Sequence, residues 1–130
     1  MSVCTSLCVS VSPKVALPFL RFIKELREKP NKVTKDYEGN VTAIWDNRVD
    51  FHEHSSDSDY NAIIDFLTNL DYDEYYYEVY EHYAPIMRGG YFPNFAIATM
   101  SEAYGNSVDL NSVMSENRKS RKFLNRRGRR

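Results

Sequence analysis

The sequence predicts an α+β fold with an antiparallel sheet, on three observations. One segment places apolar side chains at every second residue, which is typical of a half-buried strand. Two other segments place apolar side chains three and four residues apart, as amphipathic helices do. Taken in order, the 130 residues read β-α-β-β-α-β, the ferredoxin-like pattern with two helices on one face of the sheet. We expect the opposite face to be open to a ligand, a second copy or a macromolecular partner.

The first strand and the first helix are predicted from the N-terminal part of the chain. Residues 3–11 alternate apolar with small side chains and indicate a strand. Ser12-Pro13 suits a helix start, because serine caps helices and proline is tolerated in the first turn. Pro18, however, removes a hydrogen bond and clashes one turn back. We therefore predict the helix from Pro18 to Glu28, ended by Pro30-Asn31.

Two more strands and a second helix follow. The strands are predicted over Lys32–Tyr37 and Val41–Phe51, since Gly39-Asn40 between β-forming residues indicates a hairpin. A group of capping residues at 55–59 precedes the second helix. Apolar side chains at helical spacing then define its buried stripe: Tyr60, Ile63, Ile64 and Leu67.

Residues 71–83 are the most unusual stretch of the chain, with six tyrosines and five acidic residues. Their spacing fits a strand and also a helix. A strand is favoured, because tyrosine prefers strands and Pro85 limits a helix. Arg88–Pro93 is predicted to be a loop. Residues 94–104 fit either a short helix or an edge strand.

Charge is strongly segregated along the chain, although the net charge is only −1. Residues 36–81 hold thirteen acidic residues and one arginine, a net charge of −12. Residues 118–130 hold eight Arg and Lys residues and no acidic residue, a net charge of +8. We predict an α+β globular domain over 1–106 and a weakly helical to disordered basic arm over 107–130, because the arm has little to bury.

The basic arm predicts a contact with nucleic acid. Clustered cations bind phosphate backbones through the release of counterions, with little dependence on nucleotide sequence. Contact with the acidic body of the same chain, or with a partner protein, is the alternative. The predicted nucleic-acid-binding residues are Arg118, Lys119, Arg121, Lys122, Arg126, Arg127, Arg129 and Arg130.

The tyrosine-rich stretch predicts a surface for a protein partner, since tyrosine serves binding faces and complementary charge steers association. In a strand only one set of alternate residues can form that surface. The predicted partner-binding residues are Glu74, Tyr75, Tyr76, Tyr77, Glu78, Tyr80 and Glu81.

Two groups of residues are candidates for chemistry. If Asp50, His52 and His54 lie in one strand, their side chains point the same way at about 7 Å spacing, as part of a metal site would. No metal is favoured, because one His-x-His pair lacks the spacing of a zinc motif, and no cofactor is expected. Acid–base catalysis needs titratable groups in a pocket, for which the candidates are Tyr75, Tyr77, Glu78, Glu81 and His82.

These features predict a small intracellular interaction or regulatory protein, such as a viral or phage inhibitor of a nucleic-acid machine. The alternative is a small oligomeric enzyme that acts on a metabolite at a subunit interface. Cys4 and Cys8 would lie about 13 Å apart in a strand, too far to pair, and free thiols indicate the cytoplasm. The chain shows neither a signal peptide nor a long apolar segment, so no membrane contact is expected.

Overall fold

The computed structural model describes residues 4–55, 58–82, 84–91, 93 and 95. These residues form β1 (Cys4–Val11), α1 (Pro13–Glu25), β2 (Lys32–Lys35), β3 (Val41–Val49), α2 (Tyr60–Thr68), β4 (Tyr75–Glu81) and β5 (Ala84–Gly90). A short 3₁₀ helix at Tyr72–Glu74 precedes β4. The predicted α+β class is confirmed. The element predicted at 94–104, apart from residue 95, lies outside the described residues, as do the domain boundary at 106 and the basic arm.

The strands form one antiparallel sheet in the order β2-β3-β1-β4-β5. The alternating segment at the N-terminus is the central strand, since β1 pairs with both β3 and β4. Val9 lies opposite Ala43 on one side and Tyr77 on the other. Residues in such a row share a face of the sheet, so one face is apolar along its whole width.

Both helices cover this apolar face. Phe19 and Ile23 of α1 and Ile63 and Leu67 of α2 are buried in the same cluster as the inward side chains of β1. Phe22 of α1 stacks on a phenylalanine of α2 with ring centroids 4.5 Å apart. The prediction of two helices on one face therefore agrees with the packing.

The first helix differs from its prediction at both ends. It starts at Pro13 and continues through Pro18, which is exposed on its outer surface. Burial of Phe19, Leu20 and Ile23 stabilises this helix enough to tolerate an interior proline, at about 2 kcal/mol or more for each buried large side chain. The backbone turns extended at Leu26, so the helix ends before Glu28.

The end of α1 is joined to the start of α2 by a reciprocal pair of hydrogen bonds. The backbone N–H of Glu28 donates to Oδ2 of Asp59 at 2.7 Å, and the N–H of Asp59 donates to Oε2 of Glu28 at 3.2 Å. The indole N–H of Trp45 donates to the carbonyl of Glu28 at 2.9 Å. These bonds orient the start of α2 above the sheet.

The tyrosine-rich stretch is a strand, as favoured, but it is followed by a fifth strand. β5 includes Arg88, Gly89 and Gly90, so the prediction of a loop from residue 88 is wrong at its start. Glycine is required here by the neighbouring strand. A Cβ on Gly89 would lie 2.3 Å from Cε1 of Tyr77, and Gly90 has φ +92° against the backbone of Tyr75.

The second face of the sheet carries small and polar side chains and is also buried. Ser10 and Thr42 share a hydrogen bond of 2.7 Å there, and Ser6 donates to Asp46 at 3.0 Å. Phe95 packs against Tyr76 on this side. The expectation that this face is open is therefore corrected for the central strands.

Among the described residues, no helix is long and apolar enough to cross a membrane. The helix α1 has 13 residues and α2 has 9, whereas a span needs about 20.

Candidate functional site

A pocket of about 310 Å³ opens on the helix side of the sheet, where β4 turns into β5. The sheet, the second helix and a loop build it. The sheet supplies residues of β1, β4 and β5, α2 supplies its first residue, and the loop after β3 closes one side. Its lining is Thr5, His52, Glu53, His54, Tyr60, Val79, Glu81, Ile86 and Met87. The volume lies at the lower end of the range that binds small ligands or a side chain.

The pocket combines an apolar wall with an acidic rim. Val79 is buried, whereas Ile86 and Met87 are 56% and 42% exposed although both are large and apolar. Glu53 and Glu81 contribute carboxylates, and no lysine or arginine is among the lining residues. This arrangement suits an occupant that carries apolar surface next to positive charge.

Tyr60 contributes a phenol that stays protonated. Its ring packs edge-on against Phe51, with centroids 5.6 Å apart. Burial, together with the neighbouring Tyr77 and Glu53, raises the pKa of Tyr60 to about 12. No hydrogen bond joins its hydroxyl to another residue of the described segments. The Tyr60 hydroxyl can thus donate to or accept from an occupant of the pocket at neutral pH.

The loop that holds His52 and His54 has a different geometry from the strand that was predicted. The strand β3 ends at Val49, and Asp50 takes φ +56°, so the alternation that would align Asp50 with the histidines is lost. His52 and His54 lie in a turn, with ring centroids 6.0 Å apart.

Existing contacts also engage both histidines. The backbone N–H of His54 donates to Nδ1 of His52 at 3.1 Å, and Nε2 of His54 lies 3.2 Å from a carboxylate oxygen of Glu53. Within the described segments, no three His, Cys, Asp or Glu side chains are grouped to hold a metal ion. The proposed trio of Asp50, His52 and His54 is not assembled there.

The predicted partner-binding residues are mostly buried. Tyr75 and Tyr77 face the helices, where their rings stack 6.3 Å apart, and Tyr76 and Glu78 lie on the second face. Only Glu74, Tyr80 and Glu81 of this set are partly exposed. Most of β4 is therefore buried in the body of the protein and does not form an exposed surface.

The predicted catalytic residues do not meet in one place. Glu81 lines the pocket, whereas Tyr75 and Tyr77 belong to the core behind it. Glu78 projects from the opposite face, and His82 sits exposed in the turn to β5 with φ +51°. The alternation of β4 separates these groups, because adjacent residues of a strand point to opposite faces.

Glu78 is the centre of a buried polar cluster. Its carboxylate accepts hydrogen bonds from the hydroxyls of Tyr76 at 2.9 Å and Tyr80 at 2.5 Å. Nε of Arg88, on β5, lies 3.0 Å from the same carboxylate. Burial raises the pKa of Tyr76 to about 12, assisted by its bond to Glu78. The cluster pins β5 to β4.

Several pocket residues were not predicted as site residues from the sequence. Thr5, Tyr60, Ile86 and Met87 belong to segments far apart along the chain, and only the fold brings them together. The sequence offers one local clue, the two large apolar side chains of Ile86 and Met87 beside Pro85.

No family model, curated protein sequence or solved structure matches the chain significantly.

Proposed function

We propose that this chain is a small interaction protein that regulates a nucleic-acid machine, with an acidic body for a protein partner and a basic arm for nucleic acid. The observation that carries the proposal is the charge segregation: −12 over residues 36–81 and +8 over residues 118–130. An acidic surface repels phosphates, so nucleic acid would be bound by the arm, while the body attracts basic proteins.

The pocket supports a protein contact on the body. Ile86 and Met87 expose apolar surface beside the carboxylates of Glu53 and Glu81. Apolar side chains in the middle with charged groups at the edge are typical of protein interfaces. We therefore propose the pocket mouth as the partner surface, with Glu81 retained from the tyrosine-rich stretch.

Nucleic-acid binding is tested by fluorescence anisotropy with a labelled RNA or DNA strand at several salt concentrations. If all eight cations of the arm contact phosphates, the logarithm of affinity falls against the logarithm of salt with a slope of about −6 for a single strand or −7 for a duplex. Deletion of residues 118–130 should abolish this binding. The matched control neutralises Arg21 and Lys24, exposed on α1, and should leave the slope unchanged. Undiminished binding after the deletion would refute the role of the arm.

The protein contact is tested by affinity capture from the source cells. Met87→Glu adds a charge to the apolar wall and should release the specific partner. Tyr37→Glu, at a residue 91% exposed in the turn between β2 and β3, is the control. The same proteins captured by all three forms would contradict a partner site at the pocket.

We also infer that the first four strands and two helices follow the ferredoxin-like arrangement, with β5 added at one edge. The inference is supported by the order of the elements, by the antiparallel pairing of β1 with both β3 and β4, and by the two helices that share one face. The free thiols of Cys4 and Cys8 support a cytoplasmic location.

A small-molecule enzyme is the second candidate, because the pocket brings His52, Tyr60 and Glu81 together. Thermal unfolding with added metals and nucleotide-like metabolites tests it. A rise in Tm of several degrees, lost in Tyr60→Phe, would favour this candidate, since a ligand that binds the folded state stabilises it. An unchanged Tm with every compound would argue against it.

A further inference from the structure

We propose that the pocket beside β5 binds an arginine-rich segment with an embedded apolar pair, and that the occupant is Arg121–Arg127 of this same chain. This inference goes beyond the proposed function and rests on it only for the availability of the arm to nucleic acid. The segment reads Arg-Lys-Phe-Leu-Asn-Arg-Arg and lies outside the described residues. Docked in the pocket, it would be withheld from nucleic acid and would compete with the protein partner proposed for the same surface.

The chemistry of the two partners is complementary. The pocket offers the exposed side chains of Ile86 and Met87 as an apolar wall and the carboxylates of Glu53 and Glu81 at its rim. Phe123 and Leu124 are the only aromatic and aliphatic residues within 118–130. A phenylalanine ring beside Met87 would also gain a favourable sulfur–aromatic contact.

The charges of the segment and of the pocket also favour this contact. The segment has two cations immediately before Phe123 and two more after Asn125, and it has no acidic residue. None of the residues that line the pocket is a lysine or an arginine. Cations that flank the apolar pair would therefore lie beside the carboxylates of Glu53 and Glu81 with no lysine or arginine among the lining residues, and this contact should weaken with salt.

The length of the chain permits this contact. Phe95 packs against Tyr76 on the second face of the sheet, and Phe123 follows 28 residues later. A chain of that length reaches up to roughly 90 Å. The pocket lies about five residues along β4 from Tyr76, or ~17 Å. An intrachain contact around the edge of the sheet is therefore within easy reach.

Photo-crosslinking of the full chain tests the proposal. Phe123→p-benzoylphenylalanine is irradiated without nucleic acid, and the cross-linked peptides are identified by mass spectrometry. We expect cross-links to the segment that holds Ile86 and Met87. Glu53→Gln and Glu81→Gln should each lower the yield, by roughly two- to fivefold as for an exposed ion pair. The same photo-reactive residue at Tyr37, in the turn between β2 and β3, should give no cross-link to this segment.

Two results would overturn the proposal. The first is a cross-link pattern from position 123 that is scattered over the surface or indistinguishable from that of position 37. The second comes from a mixture of isotopically labelled and unlabelled chains: cross-links between the two would show that a second copy fills the pocket. Both cross-linking measurements are made without nucleic acid, so they test the intrachain contact whether or not the arm binds nucleic acid. Added single-stranded RNA should then lower the cross-link yield if the arm is shared.

Discussion

Replacement of Gly89 by alanine should destabilise the protein through a single contact. The new Cβ would lie 2.3 Å from Cε1 and 2.6 Å from Cζ of Tyr77, whereas carbon atoms normally pack 3.5–4.0 Å apart. The tyrosine ring would have to move by about 1 Å. It is held in the core and stacked on Tyr75, so this movement disturbs its neighbours. Overpacking of this kind costs about 1–3 kcal/mol.

The free energy of unfolding can be measured by urea denaturation, with Trp45 as the probe. It is the single tryptophan of the chain and is fully buried, so its fluorescence reports on loss of the core. Met87→Leu, at an exposed position of the same strand, is the matched control and should change stability by less than about 0.5 kcal/mol.

A double-mutant cycle identifies the contact. Tyr77→Leu removes the ring atoms that the new Cβ would meet, so Gly89→Ala should cost about 1–2 kcal/mol less in that background than in the original chain. The reasoning would be refuted if Gly89→Ala changed stability by less than about 0.5 kcal/mol, or if its cost were the same in both backgrounds.

Three further perturbations follow from the fold. Pro18→Ala should stabilise α1 by roughly 1–3 kcal/mol in urea denaturation, because it restores a donor to the carbonyl of Lys14 and removes a clash; a loss of stability would contradict this. Arg88→Met should lower the free energy of unfolding by about 1–3 kcal/mol, which is less than for a fully buried ion pair because Arg88 is largely exposed. The same substitution should cost less in a Glu78→Gln background. Equal costs in both backgrounds would exclude a specific Arg88–Glu78 pair. The pKa of Tyr76 is raised from 10.0 to about 12, so the unfolded chain loses this proton at a lower pH than the folded protein does. The contribution of Tyr76 to the free energy of unfolding should therefore stay level below pH 10 and fall between pH 10 and 12. Tyr76→Phe should reduce that fall, and an identical profile would remove Tyr76 from the explanation.

Alternation and helical spacing were sufficient to predict most of the fold. The N-terminal strand, the hairpin of β2 and β3, the second helix and the strand through the tyrosines were predicted and are present. Each of these elements repeats its pattern over several residues, so the local signal is strong. Two of the errors occur where proline or glycine suggested a break, at Pro18 and at Gly89-Gly90.

Those errors have a tertiary cause. Burial of Phe19 and Ile23 against the sheet outweighs the proline in α1. The glycines of β5 are strand residues because the ring of Tyr77 occupies the space where a side chain would stand. Neither effect is local in sequence, so no window of neighbouring residues contains it.

The candidate site was predicted only in fragments. His52, His54 and Glu81 were singled out separately, for a metal site and for a tyrosine-rich surface, and the structure unites them around one pocket. That union depends on the antiparallel pairing that brings β1, β4 and β5 together and on the bonds that seat α2 above them.

The sequence by itself determined the charge contrast between body and arm and the order of the predicted elements, since both are written in consecutive residues. The tertiary structure alone decided which tyrosines are hidden. Tyr75 and Tyr77 face one side of β4 and Tyr76 faces the other, and helices α1 and α2 cover the first side while the second is also buried. Exposure depends on what packs against each face, and that information comes from distant parts of the chain.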